Sequence, residues 1–168
     1  RMINVGIHGA TGRVGRLLID NLIKDTDARV SVLHAIDDFG FTPPKDAMIT
    51  DSVEALLTQS DVVIDFTISM GTQTLLEQAL VNPKPLVIGT TGLDEHQQNL
   101  LKEAATLMPI LYSTNMSLGV AVLNRLVELA SKSLSDFDIE IVEQHHRHKK
   151  DAPSGTALTL GEHAARGR

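Results

Sequence analysis

The sequence predicts an α/β fold, a doubly wound parallel sheet followed by a smaller α+β region. Three observations carry this prediction. Between residues 2 and 113, short apolar runs alternate with segments of helical periodicity, the pattern of parallel strands covered by helices on both faces. A glycine-rich turn follows the first apolar run. From about residue 115 the style changes to a longer helix and then a strand that alternates, as strands with one wet face do.

The elements follow in order. Met2-Ile-Asn-Val-Gly-Ile-His8 is a short β-type run that ends at glycine. Residues 12–24 place Val14, Leu17, Leu18, Leu22 and Ile23 at helical spacing. Residues 29–36 read as a second strand, and residues 37–50, polar and Pro-containing, as a loop. A short helix over 51–59 precedes the buried-type strand Asp61-Val-Val-Ile-Asp-Phe66. Then come a helix over 70–81, the strand Pro85-Leu-Val-Ile-Gly89, a helix over 94–107 and a fifth strand, Pro109-Ile-Leu-Tyr-Ser113. A helix over 117–133 leads into Phe137-Asp-Ile-Glu-Ile-Val142, read as the alternating strand, and a last helix opens after Pro153. The expected domains are 1–114, for nucleotide binding, and 115–168, the start of a substrate and oligomerisation domain left incomplete.

Composition narrows the function classes. The 168 residues suffice for one domain and part of a second. Hydrophobic residues make up 42% and aromatics 3%, so the core must be aliphatic. The net charge of −6 argues against general nucleic-acid binding. The absence of cysteine removes disulfides, thiolate metal sites and thiol catalysis together. No apolar run has membrane-spanning length, and the expected location is cytoplasmic, with no signal peptide, membrane or nucleic-acid partner.

Gly6-Ile-His-Gly9-Ala-Thr-Gly12-Arg-Val-Gly15 sits between a strand and a helix. A dinucleotide pyrophosphate needs close backbone approach and free N–H groups at a helix start, and small residues permit both. The spacing Gly9-x-x-Gly12-x-x-Gly15 is a variant of the usual fingerprint, and its strand–turn–helix context marks a Rossmann-type site. The bland alternative is a tight strand-to-helix turn. Asp37 follows the second strand, where a carboxylate accepts from the adenosine ribose. Asp38 adds a second negative charge with no visible cation, so the expected cofactor is NADH, with NADPH as the alternative.

In such sheets ligands lie beyond the carboxyl ends of the strands. The ends here are Phe66-Thr67, Gly89-Thr90-Thr91-Gly92 and Ser113-Thr114-Asn115-Met116. They offer hydroxyls, an amide and bare backbone without charge, suited to a nicotinamide carboxamide, although turns favour the same residues.

Glu143-Gln-His-His-Arg-His-Lys-Lys-Asp-Ala-Pro-Ser-Gly-Thr156 gathers three of the seven histidines and three cations between His145 and Lys150. Histidine protonates near neutral pH, and a lysine beside other cations has a lowered pKa and can donate a proton. Ser154-Gly155-Thr156 would open the final helix, giving hydroxyls and unpaired N–H groups for a carboxylate. Three other readings compete: a solvated basic loop, metal binding through His146 and His148 without a familiar ligand spacing, and nucleic-acid contact. No metal site is expected.

At these residues the chain resembles the 4-hydroxy-tetrahydrodipicolinate reductase (dihydrodipicolinate reductase) family of bacterial lysine and diaminopimelate synthesis. The matching segments are Gly9-Ala-Thr-Gly-Arg-Val-Gly15, Asp65-Phe-Thr67, Val87-Ile-Gly-Thr-Thr-Gly92, Asn115-Met-Ser-x-Gly119 and Glu143-x-His-His-Arg-His-Lys-x-Asp-Ala-Pro-Ser-Gly-Thr-Ala157. The resemblance implies a homotetramer with a C-terminal domain for a ring dicarboxylate. It implies NAD(P)H contacts from Gly9, Ala10, Thr11, Gly12, Arg13, Val14 and Asp37, from Gly89, Thr90 and Thr91, and from Ser113, Thr114, Asn115 and Met116. It implies His145 as proton donor and acceptor, Lys149 as proton donor, and His146, Gly155 and Thr156 as the carboxylate grip, with Ser154 beside them at the helix start. Two departures matter. Dual-specificity members carry arginine directly after the acidic ribose ligand, where this chain has Asp38. Members also continue well beyond this length, so the sequence is expected to be a fragment or the ordered part of a longer chain. A different Rossmann dehydrogenase acting on a small amino dicarboxylate, or an NADH-binding domain without catalysis, are the other readings.

Overall fold

The structure, a computed structural model, describes residues 1–145, 147 and 152–168. It divides into two compact units, Arg1–Tyr112 and Ser113–Arg168.

The first unit is built on a six-stranded parallel sheet. Its strands are β1 (Ile3–His8), β2 (Ala28–His34), β3 (Met48–Thr50), β4 (Val62–Asp65), β5 (Leu86–Ile88) and β6 (Ile110–Tyr112). The spatial order is β3-β2-β1-β4-β5-β6, so the direction of winding reverses between β1 and β4. The connecting helices are α1 (Arg13–Leu22), α2 (Val53–Thr58), α3 (Ser69–Val81) and α4 (Glu95–Ala104). Alternation along the strands splits the core in two. Val32 joins Val63, Leu86 and Ile88 under α2, α3 and α4. Its neighbour Leu33 joins Val5, Ile7 and Val30 with Ile19 of α1. Each large aliphatic side chain so buried contributes about 2 kcal/mol.

Local chemistry sets the helix starts. Ser52 caps α2 by accepting from Ala55 N at 3.2 Å. Asp94 and Gln97 close a capping box at α4, satisfying two otherwise unpaired N–H groups. By contrast, no side chain caps α1 behind Gly12.

Residues 48–50 form β3, a strand where the sequence suggests only loop. It pairs with Val32–His34 at the sheet edge and is only three residues long. That is too short to show a period of two, and the preceding Pro43-Pro44 reads as punctuation.

The second unit contains α5 (Leu118–Ser133) and α6 (Gly155–Arg166). These helices pack together, and His163 Nδ1 of α6 meets Glu128 Oε2 of α5 at 3.0 Å. The final helix thus packs on the helix that precedes it in this unit. Gly167 follows it where a Cβ would lie 2.4 Å from the Glu128 carbonyl oxygen, so only glycine allows this approach. Residues 137–142, expected as a strand, form none. No neighbouring strand among the described residues takes up their N–H and C=O groups, and alternation alone cannot supply that partner. Among the described residues no helix is long and apolar enough to cross a membrane.

Candidate functional site

The first unit carries a cleft of about 570 Å³ beyond the carboxyl ends of β1, β2 and β4, at the winding reversal. Its lining includes Gly9, Thr11, Gly12, Asp37, Thr67 and Gly71. Gly9 has φ +82°, a backbone conformation costly for any other residue. Gly12 N donates to Gly9 O at 3.0 Å, closing the turn onto α1. A Cβ on Gly15 would lie 2.3 Å from Gly9 O and 2.9 Å from Ala10 Cα, so the helix meets the turn through bare backbone. An uncapped helix start behind a bare glycine turn is a cradle that fits a dinucleotide diphosphate.

The other expected nucleotide residues fall into distinct places. Ala10 is fully buried in the core behind the turn, with its N–H donating to His34 O at 3.1 Å. Arg13 and Val14 are exposed on the first turn of α1 and do not line the cleft. Asp37 and Asp38 are both exposed, and only Asp37 is in the cleft wall. A Cβ on Gly89 would lie 2.1 Å from the Phe66 ring, so this glycine makes room for the aromatic side chain. Thr91 is exposed, whereas Thr90 is 3% exposed and turned into the protein.

Thr90 belongs to a buried polar cluster that the sequence reading missed. Asp65 is fully buried at the end of β4. Its Oδ1 accepts from Thr67 N at 3.1 Å and Thr67 Oγ1 at 2.6 Å. Its Oδ2 accepts from Thr72 Oγ1 at 2.5 Å and Thr90 Oγ1 at 3.4 Å. His8 Nδ1 lies 3.1 Å from Asp65 Oδ1. That approach is off the line of a hydrogen bond, and Nδ1 has no hydrogen-bond partner. Burial pushes the Asp65 carboxyl up, but the His8 contact and the Thr67 and Thr72 hydroxyls outweigh it, holding the group below 3.8. His34 packs edge-on against His8 with ring centroids 4.5 Å apart. Its Nε2 lies 3.0 Å from the Asp51 carbonyl, which can only accept, so Nε2 carries hydrogen. Burial and then the neighbouring His8 hold His34 below 6.5. The detectable signal was a charged or ionisable residue at the end of each of three apolar runs.

The second unit holds a separate cleft of about 230 Å³, lined by Asn115, Glu143, His145, Ser154 and Thr156 among others. Ser154 caps α6, accepting from Ala157 N at 3.1 Å. Glu143 grips that cap: its carboxylate accepts from Ser154 N at 2.6 Å and from the Ser154 hydroxyl. The same carboxylate lies 3.2 Å from His145 Nδ1. Asn115 Nδ2 donates to Thr156 Oγ1 at 3.0 Å, and Thr114 and Thr159 hydroxyls meet at 3.3 Å. Ser113 Oγ donates to Asn115 O at 2.8 Å, while Met116 is 40% exposed. Gly155 stands above Thr114, whose Cβ would be 3.5 Å from an added Cβ. Thus residues 113–116, expected with the nucleotide, lie within the second unit beside His145, Ser154, Gly155 and Thr156. Glu143 was not singled out from sequence, though it opens the histidine run. Lys149 and His146, expected in proton transfer and carboxylate binding, lie outside the described residues, as does His148 of the metal reading.

Residues 3–116 match the family model described as dihydrodipicolinate reductase, N-terminus, and residues 119–168 match its C-terminus. The 4-hydroxy-tetrahydrodipicolinate reductase of Aliarcobacter butzleri is 61% identical over 99% of this chain and 66% of its own length. That of Campylobacter curvus is 59% identical over 99% of this chain and 65% of its own. The chain thus spans slightly under two thirds of these curated relatives. A dipicolinate-bound dihydrodipicolinate reductase from Paenisporosarcina sp. TG-14 superposes with TM-score 0.80 at 25% identity, covering 100% of this chain and 67% of that one. A myo-inositol dehydrogenase from Lactobacillus casei shares the fold alone, with TM-score 0.56 at 20% identity over 77% of this chain and 42% of its own. With both halves of one family model matched in sequence order, the chain belongs to the dihydrodipicolinate reductase family.

Proposed function

We propose that the protein reduces 4-hydroxy-tetrahydrodipicolinate, through loss of water to dihydrodipicolinate, to tetrahydrodipicolinate, using NADH. One observation carries the reading. His145 stands beside the Glu143-gripped start of α6, in a cleft that also gathers Asn115 and Thr156. A protonating group next to helix-start N–H groups suits a substrate that is both anionic and reduced. The dipicolinate held by the Paenisporosarcina relative is a planar ring dicarboxylate of the required kind.

NADH supplies the hydride when bound. Gly9, Thr11 and Gly12 would hold its diphosphate and Asp37 its ribose. Hydride addition to the conjugated imine leaves an electron-rich enamine on the ring, which takes up one proton. His145 and Lys149 would deliver and replace that proton, while His146, Ser154, Gly155 and Thr156 would hold the carboxylates. The Glu143 carboxylate, 3.2 Å from His145 Nδ1, would orient the imidazole. Fixing the ring in one orientation would account for much of the remaining acceleration. Asp37 followed by Asp38, with no cation next to them in the sequence, favours NADH over the extra phosphate of NADPH. The working assembly would be a homotetramer.

The test is turnover of freshly generated synthase product with either cofactor, alongside amino dicarboxylates such as aspartate. The reading expects NADH oxidation with the ring substrate alone. A kcat/KM favouring NADPH by about tenfold or more would overturn the cofactor assignment, and turnover of aspartate instead of the ring would overturn the substrate.

A further inference from the structure

We infer that Asp65 is a positioning residue for the nicotinamide cofactor, holding two strand-end loops in place against the glycine turn. It rests on the reading that a dinucleotide occupies the first cleft.

The geometry begins with strand register. His8 is the partner of His34 on one side and of Asp65 on the other, so the three form a row across β2, β1 and β4 at their carboxyl ends. The row lies under the cleft, where His8 and His34 are part of the lining. Asp65 itself is not in that lining and is fully buried, so it acts through others.

Those others are identifiable. Thr67 N is shared between Asp65 Oδ1 and Thr90 Oγ1, at 3.1 Å from each. Thr90 Oγ1 donates onward to Asp65 Oδ2 at 3.4 Å. One carboxylate therefore ties the β4–α3 turn, at Thr67, to the loop after β5, at Thr90. Thr72 anchors the same carboxylate to the second turn of α3 at 2.5 Å. The consequence appears at the glycine turn: a Cβ on Gly9 would sit 2.8 Å from Thr67 Cγ2. Thr67 is thus seated directly against the residue whose positive φ shapes the cradle. Gly71 repeats the pattern, since its Cβ would lie 2.6 Å from Thr67 Oγ1.

Only an ionised carboxylate can accept all of these donors. A protonated acid or an amide has fewer acceptor sites and leaves at least one donor unpaired. His8 Nδ1 lies 3.1 Å from Oδ1 of this carboxylate. The groups facing Asp65 are His8 from β1, Thr67 and Thr72 from the β4–α3 segment and Thr90 from the β5 end, with His34 behind His8.

The experiment measures NADH affinity of the full-length protein by fluorescence titration, which needs no turnover, and melting temperature of the same samples. Asp65→Asn is expected to raise the NADH Kd by about tenfold, while the KM of the ring substrate stays within about twofold. His8→Leu, which removes the polar ring 3.1 Å from that carboxylate, should change the Kd in the same direction. If Asp65→Asn fails to fold, Thr72→Val removes one bond from outside the cleft and should raise the Kd by about threefold. Folded variants that lose melting temperature yet bind NADH as the parent does would reduce the cluster to a structural role and overturn the inference. Altered NADH binding in a protein that reduces no ring substrate would sink the proposed reaction and leave the inference standing. A parent that binds no dinucleotide overturns both.

Discussion

Gly15→Ala tests the glycine cradle through sterics alone. The added Cβ would lie 2.3 Å from Gly9 O, 2.9 Å from Ala10 Cα and 3.1 Å from Ala10 C. All three neighbours are backbone, so no side chain can rotate away. Relief requires α1 to move off the turn, or the turn to open. Overpacking of this kind costs about 1–3 kcal/mol. Alanine returns up to about 1 kcal/mol by its helix propensity. The net loss should be about 1–2 kcal/mol, a fall in melting temperature of about 5–10 °C for a unit of this size. NADH affinity should drop by about tenfold or more, because the diphosphate must touch the displaced backbone. Gly40→Ala is the control, with no atom within 4 Å of the added carbon and no positive φ, and should stay within about 0.5 kcal/mol of the parent. Scanning calorimetry with and without NADH reads both quantities. A Gly15→Ala protein that melts with the parent and binds NADH equally well would refute the close-packed cradle.

Further predictions concern charge. Asp38→Arg should raise NADPH use by about tenfold at the level of kcat/KM; an unchanged cofactor ratio would place the selecting contact elsewhere. His145→Gln and Lys149→Ala should each lower kcat by about a hundredfold or more with NADH affinity nearly intact, and strong loss of NADH binding with kcat spared would contradict the division of labour. Glu143→Gln should lower kcat by about tenfold, since the carboxylate 3.2 Å from His145 Nδ1 no longer orients the ring; an unchanged kcat argues against that pairing. Stability should fall with acid in two stages. His34 is held below 6.5, so its contribution is complete above that pH and erodes below it, as the unfolded chain takes up the proton first. Asp65 is held below 3.8, so its contribution persists to about that pH and is lost beneath it. A melting temperature that rises on acidification through either window contradicts these signs.

The sheet was legible because its signals are local. Val62-Val-Ile64 is an apolar run bounded by turns, and residues 12–24 repeat at helical spacing, so neither needs a partner to be recognised. β3 was not legible, because three residues at an edge carry no period. The strand expected over 137–142 shows the reverse error, since alternation describes a side-chain pattern while a strand needs a hydrogen-bonded neighbour. The candidate residues divide in the same way. Gly9, Gly12 and Asp37 were readable from one turn and one strand end. His8 and Asp65 lie 57 positions apart and meet only because β1 and β4 pair in one register. No spacing in the sequence encodes that contact. Thr90 was chosen for its hydroxyl as a ligand group, yet the structure turns that hydroxyl onto Asp65. The bond from the Asn115 amide to Thr156, 41 residues on, is equally invisible in the spacing.

The most direct test of the central claim is isotope transfer. The full-length protein is given 4-hydroxy-tetrahydrodipicolinate and NADH deuterated at the transferring position, and the ring product is examined by mass spectrometry and NMR. One deuteron should appear on a ring carbon for each NADH oxidised, with the enamine proton drawn from solvent. Oxidation of NADH without deuterium in the ring, or no oxidation with this substrate while NADH binds, would contradict it.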